Sequence, residues 1–252
     1  MAPNPRVIVC VPTYNEAENL PTLAERLLAV EPIVDIVVVD DASPDGTGAI
    51  AHSIAVSCDR AHVIDRTERK GYAPACRAGI SWGLAHDYDF VVMMDADLSH
   101  DPDVVATLVK AVQRERADLV IGSRYVPGGR LEVDWNWFRR AVSRSGSGYA
   151  RVMIGTRVRD CTSGFRCYRA SSLRAARAET TTSSGYFFQI ELLSRIVDSG
   201  GVVEEMPIIY VDRKLGQSKI SKAIVAEAFW RTTMLGLTRL VGRRRVSGVS
   251  RT

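Results

Sequence analysis

Short apolar, β-branched runs alternate with longer amphipathic stretches through the first half of the chain. Such runs are typical of strands buried on both faces, and the stretches between them have the length of helices. The predicted strands are Val7–Val11, Asp35–Val39, His62–Asp65, Phe90–Met94 and Leu119–Gly122. The predicted helices are Glu16–Val30, Thr47–Val56, Pro74–His86 and Pro102–Arg116. This alternation predicts an α/β fold around a mostly parallel sheet.

The second half of the chain has a less regular pattern. It predicts helices at Asn136–Ile154 and Tyr186–Asp198 and a strand at Gly164–Tyr168. The apolar run Val202–Val211 contains Pro207, which cannot donate a ladder hydrogen bond, so we expect an irregular or edge strand there.

The C-terminal end combines an amphipathic helix with a basic tail. The pattern predicts a helix over Ala223–Val241 that is too polar for a membrane span. Five arginines and no acid lie between Arg239 and Thr252, and without them the net charge of the chain falls from +4 to −1. This distribution does not indicate nucleic-acid binding. It suits an anionic membrane surface, with a solvated tail as the alternative. For the helix, the alternative is docking on the protein's own core. We expect a catalytic domain at residues 1–222 and a helix with tail at residues 223–252.

Composition and cysteine usage are those of an ordinary globular domain. The chain is 46% hydrophobic and 25% charged, and its five cysteines have scattered spacing with no C-x-x-C pair. Neither a disulfide framework nor a zinc site is predicted. The first residues lack the charged-then-apolar layout of a signal peptide. We expect a cytoplasmic protein, peripheral on the cytoplasmic face of the membrane.

A pair of carboxylates directly follows the apolar strand Phe90–Met94. Side chains two residues apart on an extended segment point the same way, so Asp95 and Asp97 can converge on one cation. Carboxylates favour hard divalent ions such as Mg²⁺ or Mn²⁺, which usually bind together with substrate phosphates. The segment therefore predicts a metal site, with acids that cap the helix beginning at Pro102 as the alternative.

Polar and acidic residues also follow the first two strands. The segments are Pro12-Thr13-Tyr14-Asn15-Glu16 and Asp40-Asp41-Ala42-Ser43-Pro44-Asp45-Gly46-Thr47. Short polar side chains are common in turns and N-caps, so either segment alone indicates little. Ligands of such sheets bind beyond the carboxyl ends of the strands, so three acidic strand ends together favour a nucleotide site.

These segments occur in an order that resembles the dolichol-phosphate mannose synthases and their bacterial polyprenol counterparts, which are family 2 glycosyltransferases. The matching segments, between roughly Val7 and Lys222, are PTYNEAENL, VVDDASPDGT, DADLSHDP, GSRY, DCTSGFRCYR, FFQIE and VDRKLGQSK. The resemblance implies a GT-A fold, with a Rossmann-like, mixed and mostly parallel sheet flanked by helices. It also implies GDP-mannose as donor, a polyprenyl phosphate acceptor and Mg²⁺ or Mn²⁺. A separate or fused membrane-spanning partner stays open.

The resemblance assigns roles motif by motif. The donor-binding positions are Pro12, Tyr14, Glu16, Val39, Asp41, Asp95, Ala96, Asp97, Arg213 and Lys219. Asp95 and Asp97 match the metal positions. The acceptor-phosphate positions are Arg124, Arg139 and Ser143. Asp97, Arg124 and Arg213 are expected to take part most directly in catalysis. A phosphate acceptor needs no deprotonation, so we expect His100 to be dispensable as a base.

One segment departs from the pattern of the family. Relatives often carry K-x-G-L-G-x-A, whereas this chain reads Lys70-Gly71-Tyr72-Ala73-Pro74-Ala75. Pro74 suits the first turn of a helix. Because a glycine is lost, no site residue is predicted in this segment.

Three other interpretations compete with this one. A sister transferase of the same fold would use UDP-glucose or another donor with the same lipid. A nucleotidyltransferase would be expected to carry a Gly-rich basic loop after the first strand, where this chain has PTYNE. A non-catalytic sugar-nucleotide-binding module is disfavoured by the intact acids at all three strand ends.

Overall fold

The computed structural model describes residues 5–31, 33–133, 137–183, 185, 187–211 and 222–248. For the helical residues 137–139, 142, 222–225 and 240–248 it describes the backbone alone. The strands are β1 Val7–Thr13, β2 Asp35–Asp40, β3 Ala61–Asp65, β4 Phe90–Met93, β5 Leu119–Ser123, β6 Arg130–Glu132, β7 Arg166–Arg169, β8 Val203–Pro207 and β9 Ile209–Val211. The α-helices are α1 Leu20–Leu28, α2 Thr47–Ser57, α3 Tyr72–Ala85, α4 Val105–Arg114, α5 Trp137–Ile154, α6 Ala170–Ala175, α7 Phe187–Asp198 and α8 Lys222–Gly248.

Seven strands form the central sheet, in the order β3-β2-β1-β4-β7-β5-β8. All neighbours pair in parallel except β7, which runs antiparallel to both β4 and β5. This confirms the mixed, mostly parallel sheet predicted from the sequence. The chain moves outward from β1 to β2 and β3 on one side, and β4 begins the other side. The boundary between β1 and β4 is therefore the topological switch point, where α/β sheets bind ligands.

The core lies in two layers, one on each face of the sheet. Ile8 and Cys10 of β1 pack with α3 and α7, whereas Val9 and Val11 pack with α1 and α4. Successive strand residues point to opposite faces, and both faces are covered by helices, so the whole strand is apolar. The β-branched runs of the sequence are the consequence of this three-layer arrangement.

Several predicted boundaries were wrong at the ends of helices. Helix α1 begins at Leu20 rather than Glu16, because Glu16 belongs to a turn in which its carboxylate accepts a hydrogen bond from Asn19 Nδ2 (2.9 Å). The predicted helix at Pro102 begins with a 3-10 turn, Pro102–Val104, before α4. Helix α3 begins at Tyr72, which places Pro74 in its first turn as predicted.

The second half of the chain holds elements that the pattern did not predict. The short strand β6 and the short helix α6 were missed, as was a 3-10 turn at Ala178–Thr180. The run Val202–Val211 divides into β8, at the edge of the main sheet, and β9, which pairs with β6 in a separate two-stranded sheet. The prediction of an edge strand there is confirmed.

The C-terminal helix α8 is longer than predicted and packs on α5 and α7. The hydroxyls of Tyr149 on α5 and Thr233 on α8 lie 2.6 Å apart, and Arg239 Nη2 lies 2.7 Å from Asp198 Oδ1 at the end of α7. None of the helices in the described ranges is long and apolar enough to cross a membrane. The division of the chain at residues 222 and 223 stays a prediction, and the last residues of the predicted tail, 249–252, lie outside the described residues.

Candidate functional site

The predicted site residues that follow β1, β2, β4 and β5 lie at one edge of the sheet. Thr13 at the end of β1 pairs in register with Asp40 of β2, and Met94 N–H donates to the carbonyl of Cys10 (3.2 Å). The aspartates at 95 and 97 therefore emerge beside the end of β1, at the switch point. This edge is where the sheet can bind a ligand.

Asp97 is held in place by the residue two positions further on. The carboxylate accepts hydrogen bonds from Ser99 N–H (3.1 Å) and Ser99 Oγ–H (2.6 Å), both at Oδ1, and Asp97 is only 6% exposed. Ser99 is itself fully buried. Its hydroxyl is directed at Asp97, so the observed role of Ser99 is to orient that carboxylate.

Asp95 lies beside the loop that leads into β7. A Cβ atom on Gly164 would be 3.3 Å from Asp95 Oδ2 and 3.1 Å from the hydroxyl of Tyr72, so only glycine leaves both groups undisturbed. The Tyr72 hydroxyl also accepts a hydrogen bond from Gln189 Nε2 (3.0 Å). Tyr72 thus lies at the site, although the sequence predicted no site residue in its segment.

Asp95 and Asp97 fit a divalent metal by their chemistry. Within the described part of the chain no group of three or more His, Cys, Asp or Glu side chains could hold a metal ion. Mg²⁺ and Mn²⁺ commonly take one or two protein carboxylates and complete their shell with water and substrate phosphate oxygens. Two carboxylates at a switch point therefore suit a metal that binds together with a phosphate-bearing substrate.

The segment after β1 is braced against the segment after β2. Asn15 N–H donates to Ser43 Oγ (3.0 Å), and Glu16 N–H donates to Thr47 Oγ1 (2.9 Å). The guanidinium of Arg69 lies 4.0 Å from the centre of the Tyr14 ring, a cation–π contact. Pro12 is half-buried in β1.

The predicted donor residue Asp41 is buried and holds the loop before α3. Its carboxylate accepts hydrogen bonds from Lys70 N–H (3.0 Å) and Gly71 N–H (2.6 Å) and lies 3.2 Å from Arg66 Nη1. Gly71 has a φ of 93°, which glycine adopts without strain. Asp41 therefore fixes the approach of Tyr72 to the site.

Two of the predicted donor residues are core residues by their side chains. Val39 is 1% exposed and packs against α3 near Gly79, and Ala96 belongs to the core on the other face of the sheet. Any contact of Val39 or Ala96 with a nucleotide would have to use main-chain atoms.

A buried ion pair lies at the end of β5. Arg124 Nε and Nη2 each donate to a carboxylate oxygen of Asp160 at 2.7 Å, and Nη2 also donates to Thr162 Oγ1 (3.0 Å). Burial disfavours the charge of Asp160, but Arg124 outweighs it and lowers the pKa of that carboxyl. Asp160 belongs to the motif DCTSGFRCYR, and its pairing with Arg124, 36 residues away, was not predicted.

The predicted acceptor residues gather near this ion pair as far as they are described. The hydroxyls of Ser143 on α5 and Tyr125 lie 2.7 Å apart, and Tyr125 directly follows Arg124. Arg139 lies in the first turn of α5, where the structure describes its backbone alone. Arg213 and Lys219 lie outside the described residues.

His100 is a neutral, buried side chain between these two parts of the site. Its ring stacks on Phe165 (5.0 Å between centroids) and meets Tyr210 edge-on (5.4 Å). Burial is the main reason why the pKa of His100 falls to about 4. A buried imidazole of this kind belongs to the wall of the site.

A mixed, mostly parallel sheet with an Asp-x-Asp segment at its switch point is the arrangement of a glycosyltransferase of the GT-A type. The family model for glycosyl transferase family 2 matches residues 8–176, and the chain belongs to this family. The chain is 46% identical over 232 residues to undecaprenyl-phosphate mannosyltransferase from Micrococcus luteus, covering 92% of this chain and 94% of that relative. It is 43% identical over 244 residues to polyprenol monophosphomannose synthase from Mycolicibacterium smegmatis, which covers 96% of this chain and 91% of that relative.

Solved structures share the fold at low sequence identity. One is glucosyl-3-phosphoglycerate synthase from Mycobacterium tuberculosis in complex with Mn²⁺, UDP-glucose and phosphoglyceric acid: TM-score 0.64, 19% identity, covering 92% of this chain and 80% of the other. Another is a mannosyltransferase from Pyrobaculum calidifontis in complex with GDP-Man and Mn²⁺: TM-score 0.57, 19% identity, covering 96% and 75%. These likenesses confirm the predicted GT-A fold.

Proposed function

We propose that this glycosyltransferase moves mannose from GDP-mannose to a polyprenyl phosphate, giving polyprenyl phosphate β-mannose and GDP. The observation that supports this most is the identity of 46% and 43%, over nearly the whole chain, to relatives named for undecaprenyl-phosphate mannosyl transfer and polyprenol monophosphomannose synthesis. The polar and acidic residues that follow β1, β2 and β4 meet at one edge of the sheet, which supports a donor site there.

The reaction needs no enzyme base. An oxygen of the acceptor phosphate attacks the anomeric carbon, the bond from that carbon to the β-phosphate oxygen breaks, and the electron pair leaves with GDP. The nucleophile is already an oxyanion at neutral pH, because the second ionisation of a phosphate monoester lies near pH ~6. Attack opposite the leaving group gives a single displacement with inversion.

Asp95 and Asp97 are the donor-side groups of this proposal. A divalent metal bound by them would offset the charge that grows on the departing GDP. Ser99 keeps Asp97 oriented, and the glycine at 164 leaves room for Asp95. The resemblance implies that Arg213 and Lys219 also bind the diphosphate.

Arg124, Arg139 and Ser143 are the acceptor-side groups. Arg124 is committed to Asp160 by two hydrogen bonds, so we assign it the positioning of Tyr125 and Ser143. Arg139, one turn before Ser143 on α5, would contribute a charge that recognises the phosphate. Two anionic substrates need such cations close to where they meet.

We further propose that the enzyme works at the cytoplasmic face of a membrane, bound peripherally. A polyprenyl chain stays in the bilayer, so the enzyme must come to it. Arg243, Arg244 and Arg245, which fall in the last turns of α8, supply charge that suits anionic lipid.

A transfer assay with labelled GDP-mannose and UDP-glucose, offered in parallel to a polyprenyl phosphate and to the free polyprenol, tests the proposal. The expected result is labelled lipid from GDP-mannose and the phosphate alone. Transfer from UDP-glucose would identify the sister transferase. Equal use of the free polyprenol would mean that the acceptor is a hydroxyl and that a base is needed.

A further inference from the structure

Helix α8 carries a concentration of large apolar side chains that are exposed to solvent. Of the large apolar residues exposed in the described part of the chain, four lie on this helix: Phe229, Trp230, Met234 and Leu237, which are 58%, 63%, 38% and 48% exposed. Single exposed apolar residues are ordinary on a protein surface, but a cluster on one element marks a binding surface.

These four residues form a continuous stripe on the helix. Residues four apart lie on the same side of an α-helix, so Trp230 and Met234 form one row. Phe229 and Leu237, with Thr233 between them, form the row beside it. The helix packs on its neighbours with other residues, namely Thr232, Leu235 and Gly236. The stripe therefore lies beside the face that α8 uses for its own packing, with Phe229 at the boundary where α8 meets α5.

The stripe continues onto α5. The Phe229 ring stacks on Tyr149 of α5 at 4.5 Å between centroids, and Val152, one turn further along α5, is 70% exposed. We use the name apolar platform for Val152, Phe229, Trp230, Met234 and Leu237. It extends across two packed helices, so it is broader than one helix face.

Exposed basic side chains occur along α5, the helix that contributes Val152 to the apolar platform. Arg140, Arg144 and Arg151 are exposed on one side of α5, at intervals of four and seven residues. The α5 sequence from Trp137 to Ile154 has four arginines and no acid. Aromatic and aliphatic side chains beside rows of arginine are typical of a helix that lies in the interface of an anionic bilayer.

We propose that the apolar platform is the surface by which this protein docks on an anionic lipid bilayer, with α5 and α8 lying against the headgroups. The inference deepens the proposed function and rests on it for the choice of a lipid surface. Ser143 and Val152 lie on the same helix, about 14 Å apart along its axis at 1.5 Å per residue. Docking through α5 and α8 would therefore hold the predicted acceptor site close to the headgroups, where the phosphate of a polyprenyl phosphate lies.

Flotation of the whole protein with mixed phosphatidylcholine–phosphatidylglycerol vesicles tests the proposal. Replacing both aromatic residues, Phe229→Ser with Trp230→Ser, should lower the partition coefficient by about tenfold or more, since each buried aromatic side chain contributes on that scale. A second variant, Met234→Ser with Leu237→Ser, should weaken binding in the same direction. The matched control is Ile33→Ser with Val56→Ser, which removes two exposed apolar side chains that lie on neither α5 nor α8.

The result expected is loss of flotation in both platform variants, unchanged flotation in the control, and unchanged transfer to a short, water-soluble prenyl phosphate. Unchanged vesicle binding in both platform variants would overturn the proposal. So would a wild-type protein that ignores vesicles but forms a dimer, measured by light scattering, that the platform variants dissociate, because a second copy would then cover the platform. Absence of transfer to the soluble acceptor would count against the proposed function and leave the flotation result interpretable.

Discussion

At the scale of single residues, the site depends on the carboxylate of Asp97, which Ser99 orients. We expect Asp97→Asn to reduce turnover at least ~100-fold, because removing one electrostatic stabiliser of the transition state costs on that scale. The matched control is Asp103→Asn, an exposed acid of the following turn that pairs with Arg26. Transfer rates at saturating donor and circular dichroism spectra check both variants. Near wild-type turnover in Asp97→Asn would refute the metal assignment.

The buried pair of Arg124 and Asp160 predicts a large effect on stability. Arg124→Ala leaves the carboxylate of Asp160 buried and unpaired, and breaking such a pair costs about 3–5 kcal/mol. Arg130→Ala is the control, since Arg130 pairs with Glu132 at an exposed position where ion pairs contribute less than about 1 kcal/mol. Urea unfolding measures both free energies. Similar losses in the two variants would show that the Arg124 pair is not held as described.

His100 links the pH dependence of stability to its burial. In the unfolded chain the imidazole takes up a proton near pH 6.5, whereas in the folded protein the pKa of His100 is about 4. Stability should therefore decrease as the pH falls from about 6.5 towards 4, because the unfolded state binds the proton first. His100→Phe, which keeps a ring against Phe165, should weaken this dependence. Equal pH dependence of the free energy of unfolding in both proteins would contradict the assignment.

The same variant tests the absence of a base. Loss of a general base costs about 10²–10⁴-fold in rate. We expect His100→Phe to retain turnover within about tenfold of wild type at pH 7, since no proton has to leave the acceptor. A rate fall of 10²-fold or more with both substrates bound would favour a base-dependent transfer.

At the scale of elements, the contact between α5 and α8 depends on a glycine. A Cβ on Gly236 would lie 2.7 Å from Met153 Sδ and 3.3 Å from Met153 Cα, so Gly236→Val must move the helices apart. Overpacking of this kind typically costs about 1–3 kcal/mol. Gly148→Ala on α5 is the control, because no atom lies within 4 Å of the added Cβ. This variant should raise the free energy of unfolding by about 0.5–1 kcal/mol, because alanine favours the helix over glycine. Urea unfolding measures both, and an unaffected Gly236→Val would place α8 elsewhere.

At the scale of the whole molecule, binding should couple to global stability. The residues at the switch point come from segments that are far apart in the sequence, so a nucleotide and metal can bind them together only in the folded protein. Their binding therefore stabilises the folded state. At ligand concentrations 100 times Kd the gain is about 2.7 kcal/mol, which for a chain of this size raises Tm by about 5–10 °C. GDP with Mn²⁺ should give this shift in a thermal scan, and Asp97→Asn should reduce it. The same Tm shift with GDP in excess chelator would contradict a site that the nucleotide and the metal share.

The sequence by itself determined the strands of the first half, the mostly parallel sheet and the position of Asp95 and Asp97. These follow from local pattern, because a strand covered on both faces must be apolar throughout and the residues after it must leave the sheet at its carboxyl edge. Its motif order also indicated the family, which the match over residues 8–176 confirmed.

Only the tertiary structure decided which side chains pair across the site. Arg124 pairs with Asp160, and Asp41 holds the backbone of Lys70 and Gly71. Tyr72 and Asp95 both lie beside Gly164 in the loop before β7. The hydrogen-bonded partners lie 29 to 36 residues apart in sequence, and no periodicity encodes such contacts.

The tertiary structure likewise decided which apolar side chains of α8 face solvent. The sequence pattern left docking on the protein's own core and binding to a membrane as alternatives. A helix with apolar residues on more than one side does not specify which side packs inward. The neighbouring helix decides it: Met153 of α5 packs closely against Gly236, whereas Trp230 and Leu237 stay exposed to solvent.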